Sequence, residues 1–167
     1  MFRPLQALVA ALVFLSAGAV WAQSGQVAFG SEPHDNEQPV EVTSDNLDVD
    51  QTAGTAVFTG DVVVIQGEMR LSAPRVLVVY NEDRSGIKRL EATGGGVILV
   101  NGPDVAEGNR ADYDVETGLM DMHGNVILVQ EGGNTITGDK LHVDTLAGTA
   151  KVDGRVKTIL LPSEGEN

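Results

Sequence analysis

The chain has 167 residues, a formal charge of −13, 20 glycines and no cysteine. That length suits one domain with a real core, and the missing cysteine rules out disulfides and a lipid-modified N-terminus. An acidic chain of this kind repels phosphate backbones, so nucleic acid is not a partner.

In chain order, residues 1–22 come first. One early basic residue, Arg3, precedes an apolar run from Leu5 to Ala19, and Val20-Trp21-Ala22 ends on the small residues that a signal peptidase reads. This predicts a cleaved secretory signal. The alternative is an uncleaved anchor, but the run is shorter than the ~20 apolar residues that a spanning helix needs. Loss of Arg3 moves the charge to about −14. Residues 23–38 (QSGQVAFGSEPHDNEQ) are polar and aperiodic, which predicts a flexible leader. The ordered domain is expected over 39–161, followed by a polar tail at 162–167.

From Val40 onward nearly every segment alternates apolar and polar residues, the period of strands with one buried face. A longer frame overlies that period. Asp50, Asp114 and Asp144 are each followed four residues later by Gly54, Gly118 and Gly148. Gly60, Gly124 and Gly154 come six residues further on, and Val62, Val126 and Val156 two after those. Asp can bond the backbone that follows it and Gly accepts positive φ, so the first interval is a tight turn. The second Gly interrupts a strand pattern, where it marks a bend or bulge.

Each copy therefore reads as strand, turn, strand, corner, strand, with a spacing of 30 residues between Asp114 and Asp144. A looser copy spans 73–99, where NEDRSGIKRLEAT disturbs the register. A single copy cannot bury its own apolar face, whereas stacked copies share a core. The predicted fold is an all-β, repeat-built jelly roll or open sandwich of about a dozen strands. Its inward set comprises Leu47, Val49, Phe58, Val62 and Val64 in the first copy, and Val76, Val78, Val97 and Leu99 in the second. Tyr113, Met120, Met122, Val126 and Leu128 follow, then Leu141, Val143 and Val152.

Catalytic and metal constellations do not emerge. His34, His123 and His142 fall in the leader, a turn and an outward strand position, without ligand spacing. DYDVETG (112–118) resembles a calcium loop, but its Gly comes one place late and His123 stands where a bidentate carboxylate is needed. Arg75, Arg110 and Lys140 share one repeat position on the outer face. Cross-strand pairing with acids such as Asp112 is the expected role for this row, and contact with anionic sugar or phosphate is the alternative.

QPVEVTSDNLDVDQTAGTAVFTGDVVVIQGEMRLSAPRVLVVY (38–80), GNRADYDVETGLMDMHGNVILVQ and GDKLHVDTLAGTAKVDGRVKTILLPS resemble the OstA-like family of periplasmic lipopolysaccharide-transport proteins. The resemblance runs over roughly 38–163. It implies a twisted β-jelly roll, open at both ends, that holds the acyl chains of lipid A in an apolar groove and resides in the periplasm. It implies no catalysis, no cofactor and no metal. Copies would join head to tail by strand addition, with LptC at the N-terminal edge and the N-terminal domain of LptD at the C-terminal edge. On this chain those edges are 40–49 (Val40, Val42, Leu47) and 156–161 (Val156, Ile159, Leu161). Two alternatives remain at this stage, an LptC-like anchored component of the same pathway and a purely structural β-repeat module. An enzyme acting on glycans is disfavoured, because no carboxylate pair stands apart from the turn Asp residues.

Overall fold

The computed structural model describes residues 26–30 and 34–162. The expected signal sequence 1–22 and the tail from 163 lie outside the described residues. The described residues form thirteen strands. They are β1 (Gln26–Ala28), β2 (Glu41–Thr43), β3 (Asn46–Asp50), β4 (Thr55–Gln66), β5 (Met69–Tyr80), β6 (Ile87–Thr93) and β7 (Val97–Asn101). Then follow β8 (Asp104–Gly108), β9 (Arg110–Asp114), β10 (Leu119–Val129), β11 (Thr135–Asp144), β12 (Thr149–Asp153) and β13 (Lys157–Ile159). Among the described residues, the one helical element is a single 3-10 turn at Glu131–Gly133.

Every pairing is antiparallel, and the long strands β4, β5, β10 and β11 each serve two layers. The first layer runs β3-β4-β5-β6-β9-β10-β11-β12 and ends on β1. The second runs β2-β4-β5-β7-β8-β10-β11-β13. The inward residues of both layers merge into one hydrophobic cluster, the mark of a jelly roll folded over its own face.

The glycine frame places both kinds of corner. In the turns, Asp50 Oδ1 accepts from the backbone N–H of Thr52 and Ala53, Asp114 Oδ1 from Thr117 and Asp144 Oδ1 from Ala147. Gly54, Gly118 and Gly148 then take φ of 65, 69 and 63°. The second glycines make the fold between layers. β4 loses register between Thr59 and Val62, and β10 between His123 and Val126. There Gly60-Asp61 and Gly124-Asn125 adopt positive φ, as Gly154-Arg155 does between β12 and β13.

The corners are also too tight for any other residue. A Cβ on Gly60 would stand 2.8 Å from that of Asp45, and one on Gly154 2.8 Å from that of Asp139. Asp45 and Asp139 donate their backbone N–H to those same glycine carbonyls at 3.0 Å. One corner design thus recurs along the chain.

The expected flexible leader needs correction. Residues 26–30 and 34–38 form an ordered strap along the side of the roll where the strand-end turns gather. β1 pairs with β12, and Phe29 N–H donates to Gly148 O at 3.0 Å. Gly30 N–H reaches Asp104 Oδ2 at 2.8 Å, and His34 N–H reaches Thr145 O at 2.8 Å. Asn36 Nδ2 donates to the carbonyls of Val115 and Glu116. Phe29 is fully buried and His34 nearly so, which overturns the solvated reading of that histidine. The strap is held by bonds to distant backbone groups, so its polar composition leaves no periodic trace.

Candidate lipid-binding interior and joining edges

Residues opposite one another in antiparallel strands share a face, so the register turns the alternation into continuous rows. One row crosses the first layer through Leu47, Phe58, Val76, Ala92, Ala111, Met122, Leu141 and Val152. Beside it run Val49, Ala56, Val78, Leu90, Tyr113, Met120, Val143 and Ala150, and this row ends on Val27 of β1. The second layer faces them with Val42, Val64, Leu71, Leu99, Ala106, Leu128 and Ile136.

The structure buries Val62, Val64, Val76, Val78, Val97, Leu99, Tyr113, Met120, Met122, Val126, Leu128, Leu141 and Val143, and half-buries Phe58 and Val152. Leu47 and Val49 depart from the one-buried-face reading. They are 53% and 59% exposed, and β3 is the end strand of the first layer, paired among the described residues with β4 alone. Leu71, Leu90, Ile136 and Phe29 also belong to the core and were not anticipated. Leu90 lies in the segment of disturbed register, and its partners Val78 and Tyr113 become visible only once pairing is known.

The expected open groove is closed among the described residues. The rows pack on each other, with Val62, Val76, Val97, Leu99, Met122, Leu128 and Leu141 all fully buried. Alternation says which side of a strand faces inward, and says nothing of how far apart two layers stand. Apolar faces folded together close to native packing density.

A buried polar cluster seals the side along which the strap runs. Gln66 Oε1 meets His34 Nε2 at 3.1 Å and accepts from the Tyr113 hydroxyl at 3.2 Å. Its Nε2 donates to the carbonyls of Asn36 and Gln38 at 2.9 and 3.0 Å. Gln66, only 1% exposed, is thereby satisfied at both ends. Burial pushes the Tyr113 phenol above its ordinary range. Nearby, Asn101 Nδ2 has no hydrogen-bond partner among the described residues and sits against Gly30, where a Cβ would lie 2.3 Å from it.

The outer face is a ladder of ion pairs. Arg110 forks onto Asp112 at 2.7 and 2.9 Å and reaches Glu91 at 3.7 Å, and Asp112 holds its guanidinium even more firmly protonated than usual. Lys140 meets Asp121 at 3.7 Å, and His142 lies between Asp121 and Asp153. Ion pairing therefore accounts for Arg110 and Lys140 of the basic row, while Arg75 stands between Thr59 and Thr93. The Asp112 that holds Arg110 lies on the same strand, however, and only Glu91 and the Lys140–Asp121 pair reach across strands. His123 is a strand residue opposite Arg110 and Lys140, not the turn residue expected. Asp112 and Asp114 of the calcium-like stretch are engaged by Arg110 and by the turn.

The joining edges differ from one another. β2 and β3 form one end, where Val40 and Val42 pack half-buried on the core. At the other end β13 is a free edge, and Val156, Ile159, Leu160 and Leu161 are 51%, 49%, 72% and 54% exposed. β12 is not free, because β1 covers it.

Comparison with known proteins agrees with this architecture. Residues 41–149 match the family model described as LptA/(LptD N-terminal domain) LPS transport protein. The lipopolysaccharide export system protein LptA of Haemophilus influenzae is 30% identical, over 94% of this chain and 95% of its own length. LptH of Pseudomonas aeruginosa, named for the same export system, is 29% identical over 68% of this chain and 67% of its own. The crystal structure of LptH, described as the LptA-homologous periplasmic component of the transport device, superposes with a TM-score of 0.69 at 26% identity. That match covers 78% of this chain and all of LptH. The chain belongs to the family of lipopolysaccharide-transport proteins that comprises LptA and the N-terminal domain of LptD.

Proposed function

We propose that this chain is a periplasmic bridge that passes lipopolysaccharide between membranes, holding lipid A acyl chains between its two layers while joined end to end with like jelly rolls. It performs no catalysis in this reading. The observation that carries the proposal is the unbroken apolar row from Leu47 to Val152, which crosses the first layer from β3 to β12 and emerges exposed at β3.

Strand parity supports joining. Each layer, without β1, holds an even number of strands in strict antiparallel order. The first and last strands therefore run in opposite senses, and β3 of one copy can add antiparallel to β12 of the next. β2 can add likewise to β13. Such β-augmentation continues both layers without a break. In this reading LptC takes the β2–β3 end and the N-terminal domain of LptD takes the β13 end.

Energetics favour tails over headgroups. Each buried methylene contributes about 0.8 kcal/mol, so a dozen outweigh an acidic exterior screened beyond ~8 Å. Since the rows are closed on each other, acyl chains enter by parting the layers. Met120 and Met122, fully buried at the middle of the rows, can repack as they do so. The filled interior also favours a second reading, a self-packed structural module that binds no lipid.

Lipopolysaccharide affinity measured across ionic strength tests the proposal. Tail-dominated binding stays within about twofold between low and high salt. A steep fall with salt, or no binding at all, contradicts it.

A further inference from the structure

We infer that β1 is a resident cap on the joining edge, a built-in imitation of the β3 strand that a second copy of this chain would bring. The inference rests on the end-to-end reading above and says what controls it.

The register carries the argument. β1 lies on β12 with Gln26 opposite Lys151, Val27 opposite Ala150 and Ala28 opposite Thr149. A second copy's β3 has to occupy the same place in the same direction. If both apolar rows are to continue, its Leu47 falls opposite Val152 and its Val49 opposite Ala150. Val27 therefore holds the seat of that Val49. Asp48 of the incoming strand would stand opposite Lys151, where the cap offers only Gln26. The visitor brings five strand residues and a carboxylate, against three strand residues and an amide.

One further feature fits a removable cap. Phe29, the strap residue just beyond β1, is fully buried in the core, so lifting the cap also uncovers part of the interior. The seat next to it is tight, since Asn101 lies against Gly30 with its Nδ2 unpartnered among the described residues. At this end of the free chain β13 is, among the described residues, the strand left open for joining. Full joining through both layers requires β1 to leave, which guards a sticky edge against indiscriminate pairing.

The chain has no cysteine, so one engineered pair locks the cap. The Phe29 N–H bond to Gly148 sets the ladder alternation and places Ala28 and Thr149 at a non-hydrogen-bonded position, where Cα atoms lie close enough for a disulfide. The exported, purified A28C/T149C protein is compared oxidised and reduced by sedimentation velocity, with circular dichroism to confirm that both are folded. The reduced form is expected to assemble, and the oxidised form to associate roughly tenfold or more weakly. In the wild-type background Asp48→Lys weakens assembly, and adding Lys151→Asp restores it. Equal assembly of oxidised and reduced protein overturns the cap while leaving end-to-end joining intact. Failure of wild-type and reduced protein alike to assemble at any concentration overturns the joining itself, and the cap with it.

Discussion

The two margins of the first layer carry the same kind of strand and meet opposite fates. β3 and β12 flank the turns of the same Asp–Gly frame, and both set small or branched apolar residues on the inward face. Yet Leu47 and Val49 stand more than half exposed, while Ala150, opposite Val27 of β1, is 2% exposed. The difference does not lie in the strands. It lies in what reaches them, a strap from the far end of the chain in one case and nothing among the described residues in the other. A local pattern marks a residue as fit for burial, and its neighbours decide whether it is buried.

Two leucines of one row break or sharpen that comparison most strongly. Leu141→Ala, at a fully buried position, is expected to cost about 2–5 kcal/mol in chemical denaturation. Equal costs at Leu141 and Leu47 would remove the contrast between interior and margin.

Next in size are the corners. Gly60→Ala combines a φ of 82° with a Cβ that meets Asp45, and roughly 1–3 kcal/mol is expected. Gly54→Ala, at φ 65° with nothing within 4 Å, carries only the backbone term of about 1 kcal/mol. Melting temperatures of the pair separate the layer-folding corner from the simple turn.

The strap side gives two smaller effects. Gln66→Met leaves the Tyr113 hydroxyl and the Asn36 and Gln38 carbonyls without their partner, at about 1–3 kcal/mol. The Tyr113 phenol, raised by burial, ionises later in the folded chain than in the unfolded one. Stability therefore falls as pH climbs past the ordinary tyrosine value of about 10 and levels off above the folded value. Ultraviolet titration of tyrosinate in the folded protein, with Tyr113→Phe as control, reads this directly. The smallest effect is at the free margin, where Leu47→Ala should shift stability of the isolated chain by no more than about 0.5 kcal/mol.

The parts legible in the sequence are those fixed by backbone chemistry within a few residues. Asp50 with Gly54 and Gly60 with Val62 state a turn and a corner by themselves, and repetition fixes the architecture. Leu90 was hidden because an irregular turn stands between it and its copy. The strap was hidden because its anchors, Asp104, Thr145 and Gln66, are far away in sequence. The closed spacing of the layers was hidden because alternation has no term for it.

The most direct test of lipid between the layers is photo-crosslinking in cells from adjacent inward and outward positions. Probes at Phe58, Met122 and Leu128 are predicted to capture lipopolysaccharide, while probes at the outward neighbours Asp121 and Ile127 do not. Capture from the outward positions as readily as from the inward ones, or none from the inward three, would contradict the account.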